Sequence, residues 1–282
     1  LLFHSLFIII LFENFLGART MCPWNPEEYH HYSSEQQKWA RELISKLRLT
    51  GNERVLDIGC GDGKVTAEIS QKLPHGSILG IDNSLEMVQF AKAHFPSTQY
   101  PNLTFEWMDA RNLQFHREFD VVFSNATLHW VKDHLTVLHG IKRSLKPKGR
   151  ILLQMGGQGN AESMVKTIEK IIQKKKWACY FSQFVFPWGF YGKDEYAVWL
   201  KEVGLKAKRI ELFPKEMLHK GKEALLGWIR TTWFPYLERV PEAERERFLD
   251  EIANEYIAHF PPDAQGVIHV QMMRLEVEAE NE

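Results

Sequence analysis

Cysteine is scarce in this 282-residue chain, and neither sign of charge dominates it. The three cysteines, Cys22, Cys60 and Cys179, are odd in number, widely spaced and free of CxxC or HxxxH patterns. That argues against a disulfide framework or a structural zinc and fits a reducing, cytoplasmic setting. Thirty-five basic side chains against thirty-six acidic ones leave a net charge of -1, so there is no global electrostatic footprint for nucleic acid. Internal repeats and low-complexity linkers are also missing. One apolar run stands out, Leu1–Phe12, about as long as a signal-peptide core but without a basic segment before it. It is too short to span a bilayer. The first Met is Met21, and Leu1–Thr20 is expected to be an over-extended start outside the fold, with a signal or anchor and a packed helix as the alternatives.

What is present is ordinary globular material: 44% hydrophobic, 12% aromatic and 25% charged residues, enough apolar mass for a large core. From Met21 onward helical and strand patterns alternate. Trp39, Leu43, Ile44 and Leu47 mark a helix ending near Leu47, and Arg54–Gly59 is a short strand closed by glycine. Further strands are expected at Ser77–Asp82, Leu103–Asp109, Phe119–Asn125 and Ile151–Met155, with helices between them. Five alternations imply right-handed crossovers and a parallel sheet covered on both faces. Beyond Gly157 the rhythm changes to a helix over Ala161–Lys176, an aromatic loop over Trp177–Tyr191, further helices, and two late strands near Ala207–Phe213 and His269–Glu278. A single α/β domain over 21–282 is expected, with a core over 40–156 and helical cap insertions at about 157–192 and 220–263.

The chemistry starts at Val55-Leu56-Asp57-Ile58-Gly59-Cys60-Gly61-Asp62-Gly63, where three alternate glycines follow a strand and open a helix. The spacing is G-x-G-x-G, so neither the G-x-G-x-x-G dinucleotide fingerprint nor a P-loop is met. Asp57, just before the glycines, would repel phosphate but suits a cationic amine or sulfonium. Asp82 ends the second strand, where an acid can accept ribose hydroxyls. Asp109 ends the third, where it could accept from an adenine amine or simply cap the next turn. Amine, ribose and adenine together describe S-adenosylmethionine.

These residues resemble a family. Val55–Gly63, Ile81-Asp82, Met108-Asp109-Ala110, Phe119-Asp120-Val121-Val122 and Leu145-Lys146-Pro147-Lys148-Gly149 look like successive motifs of the class I methyltransferases. Within the class, Trp24–Tyr29, Ser124–Trp130 and Trp228–Pro241 resemble the trans-aconitate methyltransferases. Gln36-Gln37-Lys38, Leu128–Val131 and Lys176-Trp177 are similar to the juvenile hormone acid methyltransferases. The resemblance implies a Rossmann-like fold with a seven-stranded, mostly parallel sheet in the order 3-2-1-4-5-7-6. It also implies that Gly59 and Gly61 line the methionine end with Asn125 nearby, that Asp82 meets the ribose, that Met87 packs on the adenine, and that Asp109 and Ala110 flank its amine. Cys60 and Asn83 complete the expected cofactor-binding set with Asp57.

Both relatives esterify a carboxylic acid, which implies a small-molecule acid as substrate. A carboxylate is already ionised at neutral pH, so its methylation needs oriented donors rather than a base. The candidate donors are Gln37, implied by the resemblance, His129 and the Trp130 indole. His129 could instead be a general base for a protonated nucleophile or a bonded structural residue; Trp130 could be core. Methylation of another nucleophile, or cofactor binding without catalysis, also stays open. Lys174-Lys175-Lys176 reads as a solvated helix end, and no carboxylate cluster asks for a metal.

Overall fold

The computed structural model describes residues 34–282, with side chains described from Trp39 onward. The Leu1–Thr20 extension, the Trp24–Tyr29 motif and the Gln37 side chain lie outside the described residues. Seven strands form one sheet: β1 (Arg54–Ile58), β2 (Ser77–Asp82), β3 (Leu103–Trp107), β4 (Phe119–Asn125), β5 (Leu145–Gly156), β6 (Lys206–Lys220) and β7 (Val267–Glu280). Their order is β3-β2-β1-β4-β5-β7-β6. Pairing is parallel through β5, and β7 runs antiparallel between β5 and β6. The Rossmann-like class I order expected from the sequence is therefore the observed one.

The helices are α1 (Ser34–Lys46), α2 (Lys64–Ser70), α3 (Leu85–His94), α4 (His134–Ser144), α5 (Glu162–Ile172), α6 (Lys175–Phe181), α7 (Lys193–Val203), α8 (Gly221–Thr232), α9 (Phe234–Leu237) and α10 (Glu242–His259). Alternate strand residues face opposite layers. Val55, Val121 and Phe123 pack against Leu43 of α1, Leu47 in the turn after it, Ile69 of α2 and Val88 of α3. Their neighbours Leu56 and Val122 pack against Val137, Ile141, Tyr196 and Leu200 of α4 and α7. Among the described residues no helix is long and apolar enough to cross a membrane.

A third cluster joins α5, α6 and α8–α10 to the outer half of the β6–β7 pair, around Trp177, Phe248, Ile252, Trp228 and Ile268. Here the structure corrects the sequence reading twice. The helix expected over Ala161–Lys176 breaks after Ile172, because Lys174 adopts extended backbone (φ -62, ψ 136), and α6 then occupies the start of the expected aromatic loop. The break turns Trp177 onto α10, where its indole donates to Glu251 Oε2 at 3.0 Å. Lys174 and Lys176 both pair with Glu251, so they tie two helices together rather than ending one in solvent. The second correction is length: β6 runs past the expected Phe213 to Lys220 and β7 starts at Val267, ahead of the expected His269, and the added Pro214–Lys220 pairs with Val267–Met273, carrying both strands out of the sheet and under the cap.

Candidate active site

One cavity of about 780 Å³ opens at the carboxyl ends of β1, β2 and β4 and runs back under the cap. All the described residues expected at the cofactor line it, together with His129 and Trp130. The glycine loop shapes its first half. Gly59 has φ +77, and a Cβ there would come within 2.0 Å of the Thr127 methyl. A Cβ at Gly61, where φ is +53, would meet no atom of the described residues within 4 Å, which leaves room for a ligand against its backbone. The Gly61 amide donates to Asp82 Oδ2 and the Ser84 amide to Asp82 Oδ1, each at 2.9 Å, which locks the two loops to each other. Each carboxylate oxygen of Asp82 keeps a lone pair for another donor.

Asp57 is buried, accepting from the Thr66 hydroxyl at 2.7 Å. Burial pushes its carboxyl up to about 7; the Thr66 bond opposes this and the neighbouring Asp82 charge adds to it. Burial also raises Asp82, against its amide donors, and raises the Cys60 thiol. Met87 is buried in the wall and Asn83 is exposed at the rim, its carbonyl accepting from the Trp107 indole at 3.0 Å. Asn125 brings a buried Oδ1 with no hydrogen-bond partner among the described residues. Ala126 beside it sits at φ +56, a conformation L residues seldom adopt and one that marks functional loops.

Asp109 differs from the bare acceptor that the cofactor reading expects. Its side chain accepts the Arg111 amide at 2.8 Å, capping the turn at Ala110–Asn112, and it holds the Arg111 guanidinium through both oxygens. The Arg111 bonds keep its carboxyl below the usual range. A salt bridge two residues away outcompetes an open carboxylate at a partly exposed position.

His129 is buried, and its Nδ1 accepts the Gly156 amide at 3.3 Å. Burial, with the positive charge of Arg274 and the nearby His134, holds its pKa well below the ordinary value. The ring is therefore neutral and keeps its proton on Nε2 as a donor. His134 is spent on structure, bonded to the Tyr196 hydroxyl and the Leu128 carbonyl, each at 2.8 Å. Trp130 stacks on Phe234 and leans on Trp188, joining the cavity wall to the cap.

The sequence reading missed the far end of the cavity. Arg274, on β7, is only 4% exposed, sits 5.5 Å over the Trp39 ring and pairs in register with Gly156. Trp233 and Asn160 also line this end. A signal existed: Ile268, Val270, Met272 and Arg274 alternate on one strand face, and an arginine closing an apolar stripe asks for a reason.

A family model described as a methyltransferase domain matches residues 49–204, more than half of the chain. The chain belongs to the methyltransferase domain family. It is a class I enzyme that uses S-adenosylmethionine as its cofactor. A trans-aconitate 2-methyltransferase of Deinococcus radiodurans is 31% identical over 242 residues, spanning 84% of this chain and 92% of that one. The Escherichia coli (strain K12 / DH10B) protein of the same name is 28% identical over 263 residues, 92% of this chain and 98% of its own. Among solved structures, a phosphoethanolamine N-methyltransferase 2 of Haemonchus contortus superposes with a TM-score of 0.60 at 18% identity, over 96% of this chain and 60% of that one, and establishes the shared fold.

Proposed function

We propose that this methyltransferase esterifies a small-molecule carboxylic acid. The observation that carries the reading is the state of His129: its Nδ1 is used as an acceptor and its ring is neutral, so it presents an N–H and not a base to the cavity. A nucleophile that must lose a proton finds no help there. A carboxylate arrives ionised. The names of the relatives, trans-aconitate 2-methyltransferases, favour the same acceptor class.

The first half of the cavity suits the cofactor. Asn125 Oδ1, without a partner among the described residues, and the buried Asp57 carboxyl are acceptors suited to a cationic amine, Gly61 leaves its backbone open to close approach, and Asp82 has lone pairs for two hydroxyls. Met87 would pack against the adenine, and Asp109 would reach its amine only with lone pairs left over from Arg111. When bound, S-adenosylmethionine supplies a methyl carbon on a sulfonium, which accepts a lone pair as the C–S bond breaks and its electrons return to sulfur. The protein's share is placement. His129 donates to one acceptor oxygen, Trp130 and the cap aromatics exclude water, and collinear approach supplies most of the acceleration. Gln37 is proposed as a second donor.

Incubation with cofactor labelled in its methyl group and a panel of carboxylic acids tests the reading. Label released by mild base, as from a methyl ester, is the expected result. Label held in a base-stable ether or amine would refute it.

A further inference from the structure

We propose that Thr127 is the positioning residue that couples the two halves of the cavity: its hydroxyl ties the glycine loop, on the cofactor side, to the turn that carries His129 and Trp130 on the acceptor side. The inference rests on the reading above only for which half of the cavity holds the cofactor, and it is independent of the acceptor's chemical class.

The parallel ladder between β1 and β4 ends at Asp57 and Phe123. Beyond that point side-chain hydroxyls carry the pairing further. Ser124 Oγ donates to the Ile58 carbonyl at 2.7 Å, and Thr127 Oγ1 lies 3.0 Å from the Gly59 carbonyl and 3.1 Å from the Asn125 carbonyl. A hydroxyl has one proton to donate, so Thr127 shares it between an acceptor on each loop. Gly59 is thereby held from two sides, because its amide donates to the Ile81 carbonyl of β2 at 2.7 Å.

Thr127 spends its side chain on this contact instead of a local one. It stands at the N-cap of the turn Leu128–Trp130, where a threonine hydroxyl ordinarily accepts one of the turn's amides, and no such bond is formed. Its backbone opens the turn, the Thr127 carbonyl accepting the Trp130 amide at 2.9 Å. One residue therefore grips the glycine loop with its side chain and starts the acceptor-side turn with its main chain. Ala126, just before it, holds φ +56, a conformation that persists where the surroundings impose it. The bonds that do so are the Ala126 amide to the Gln154 carbonyl of β5, at 2.8 Å, and the Thr127 hydroxyl to Gly59. Methyl transfer needs the sulfonium carbon and the acceptor in line within a narrow tolerance, and Thr127 is the link between the two loops that would carry them.

A rival role is space filling, since a Cβ at Gly59 would fall 2.2 Å from Thr127 Oγ1. Thr127→Val keeps the shape and loses the hydroxyl; Thr127→Ser keeps the hydroxyl and loses the methyl. Hydrogen–deuterium exchange of the full chain, followed in the peptide spanning residues 126–132 with and without S-adenosylhomocysteine, tests the link without any acceptor. In the wild type S-adenosylhomocysteine should slow exchange of the Trp130 and Val131 amides by about three- to tenfold, the worth of one hydrogen bond. Thr127→Ser should keep that response. Thr127→Val and Thr127→Ala should lose it, while the response of residues 59–63 persists and calorimetric affinity for S-adenosylhomocysteine stays within about threefold. A response that survives in Thr127→Val and fails in Thr127→Ser makes Thr127 a spacer and overturns the proposal, as does a wild-type turn that does not respond. A loss of affinity beyond about tenfold in both Thr127→Val and Thr127→Ala overturns it too, by placing Thr127 in the cofactor site itself. S-adenosylhomocysteine that binds without slowing exchange at residues 59–63 refutes instead the assignment of that half to the cofactor.

Discussion

The Gly156 amide donates to His129 Nδ1 across the gap between the end of β5 and the turn after β4, and this one bond fixes what the histidine can do. With Nδ1 occupied and the ring buried beside Arg274, the proton stays on Nε2.

The consequence for pH is direct. Because its pKa lies well below 6.5, His129 does not change charge above neutrality, and kcat for a carboxylate acceptor should be flat from about pH 6.5 to 9. His129→Gln, which retains a donor, should cost a few-fold in kcat, and His129→Ala about ten- to a hundredfold, the worth of one charge-assisted bond. A loss of several orders of magnitude in His129→Gln, recovered at high pH, would make His129 a base.

Asp57 predicts proton release. Its carboxyl is raised to about 7, so near neutrality the free protein is partly protonated there. A cationic amine brought beside it favours the ionised form. Cofactor binding at about pH 6 should release close to one proton and at about pH 8.5 none, measured by calorimetry in buffers of different ionisation enthalpy. The same shift sets a stability slope: the folded pKa lies above the ordinary 3.8, so the free protein loses stability as pH rises from about 4 to 7. Asp57→Asn should abolish both signals.

Asp82 joins the glycine loop to the loop after β2 and is proposed to hold the ribose. Asp82→Ala should lose roughly 1.5–3 kcal/mol of S-adenosylhomocysteine affinity. Unchanged affinity in the titration would remove the assignment.

Glu251 predicts acid sensitivity in the cap. It binds Lys174, Lys176 and the Trp177 indole, and despite the opposing effect of burial these bonds lower its pKa to about 2. Its contribution is present above the ordinary 4.5 and is lost as pH falls toward 2. Because the lysines are partly exposed, Glu251→Gln should cost about 1–2 kcal/mol at pH 7 rather than the full value of the shift. Urea unfolding should show that gap closing at about pH 2.5.

Sequence alone determined the parallel sheet and its order of elements, the turn at Gly59 and Gly61, and the acids Asp57 and Asp82 at successive strand ends. These are local properties: periodicity reports which face is buried, and a glycine or an aspartate at a strand end reports what the chain must do there. Tertiary structure alone decided who meets whom. Asp109 turned to Arg111, a choice between a neighbouring charge and an open cavity that depends on local exposure. The state of His129 depends on Gly156, 27 residues later, and Arg274 reaches the cavity only because β7 inserts antiparallel between β5 and β6. Alternation can mark an arginine as inward-facing; which cavity it faces is set by strand order and register, and those follow from packing the whole chain.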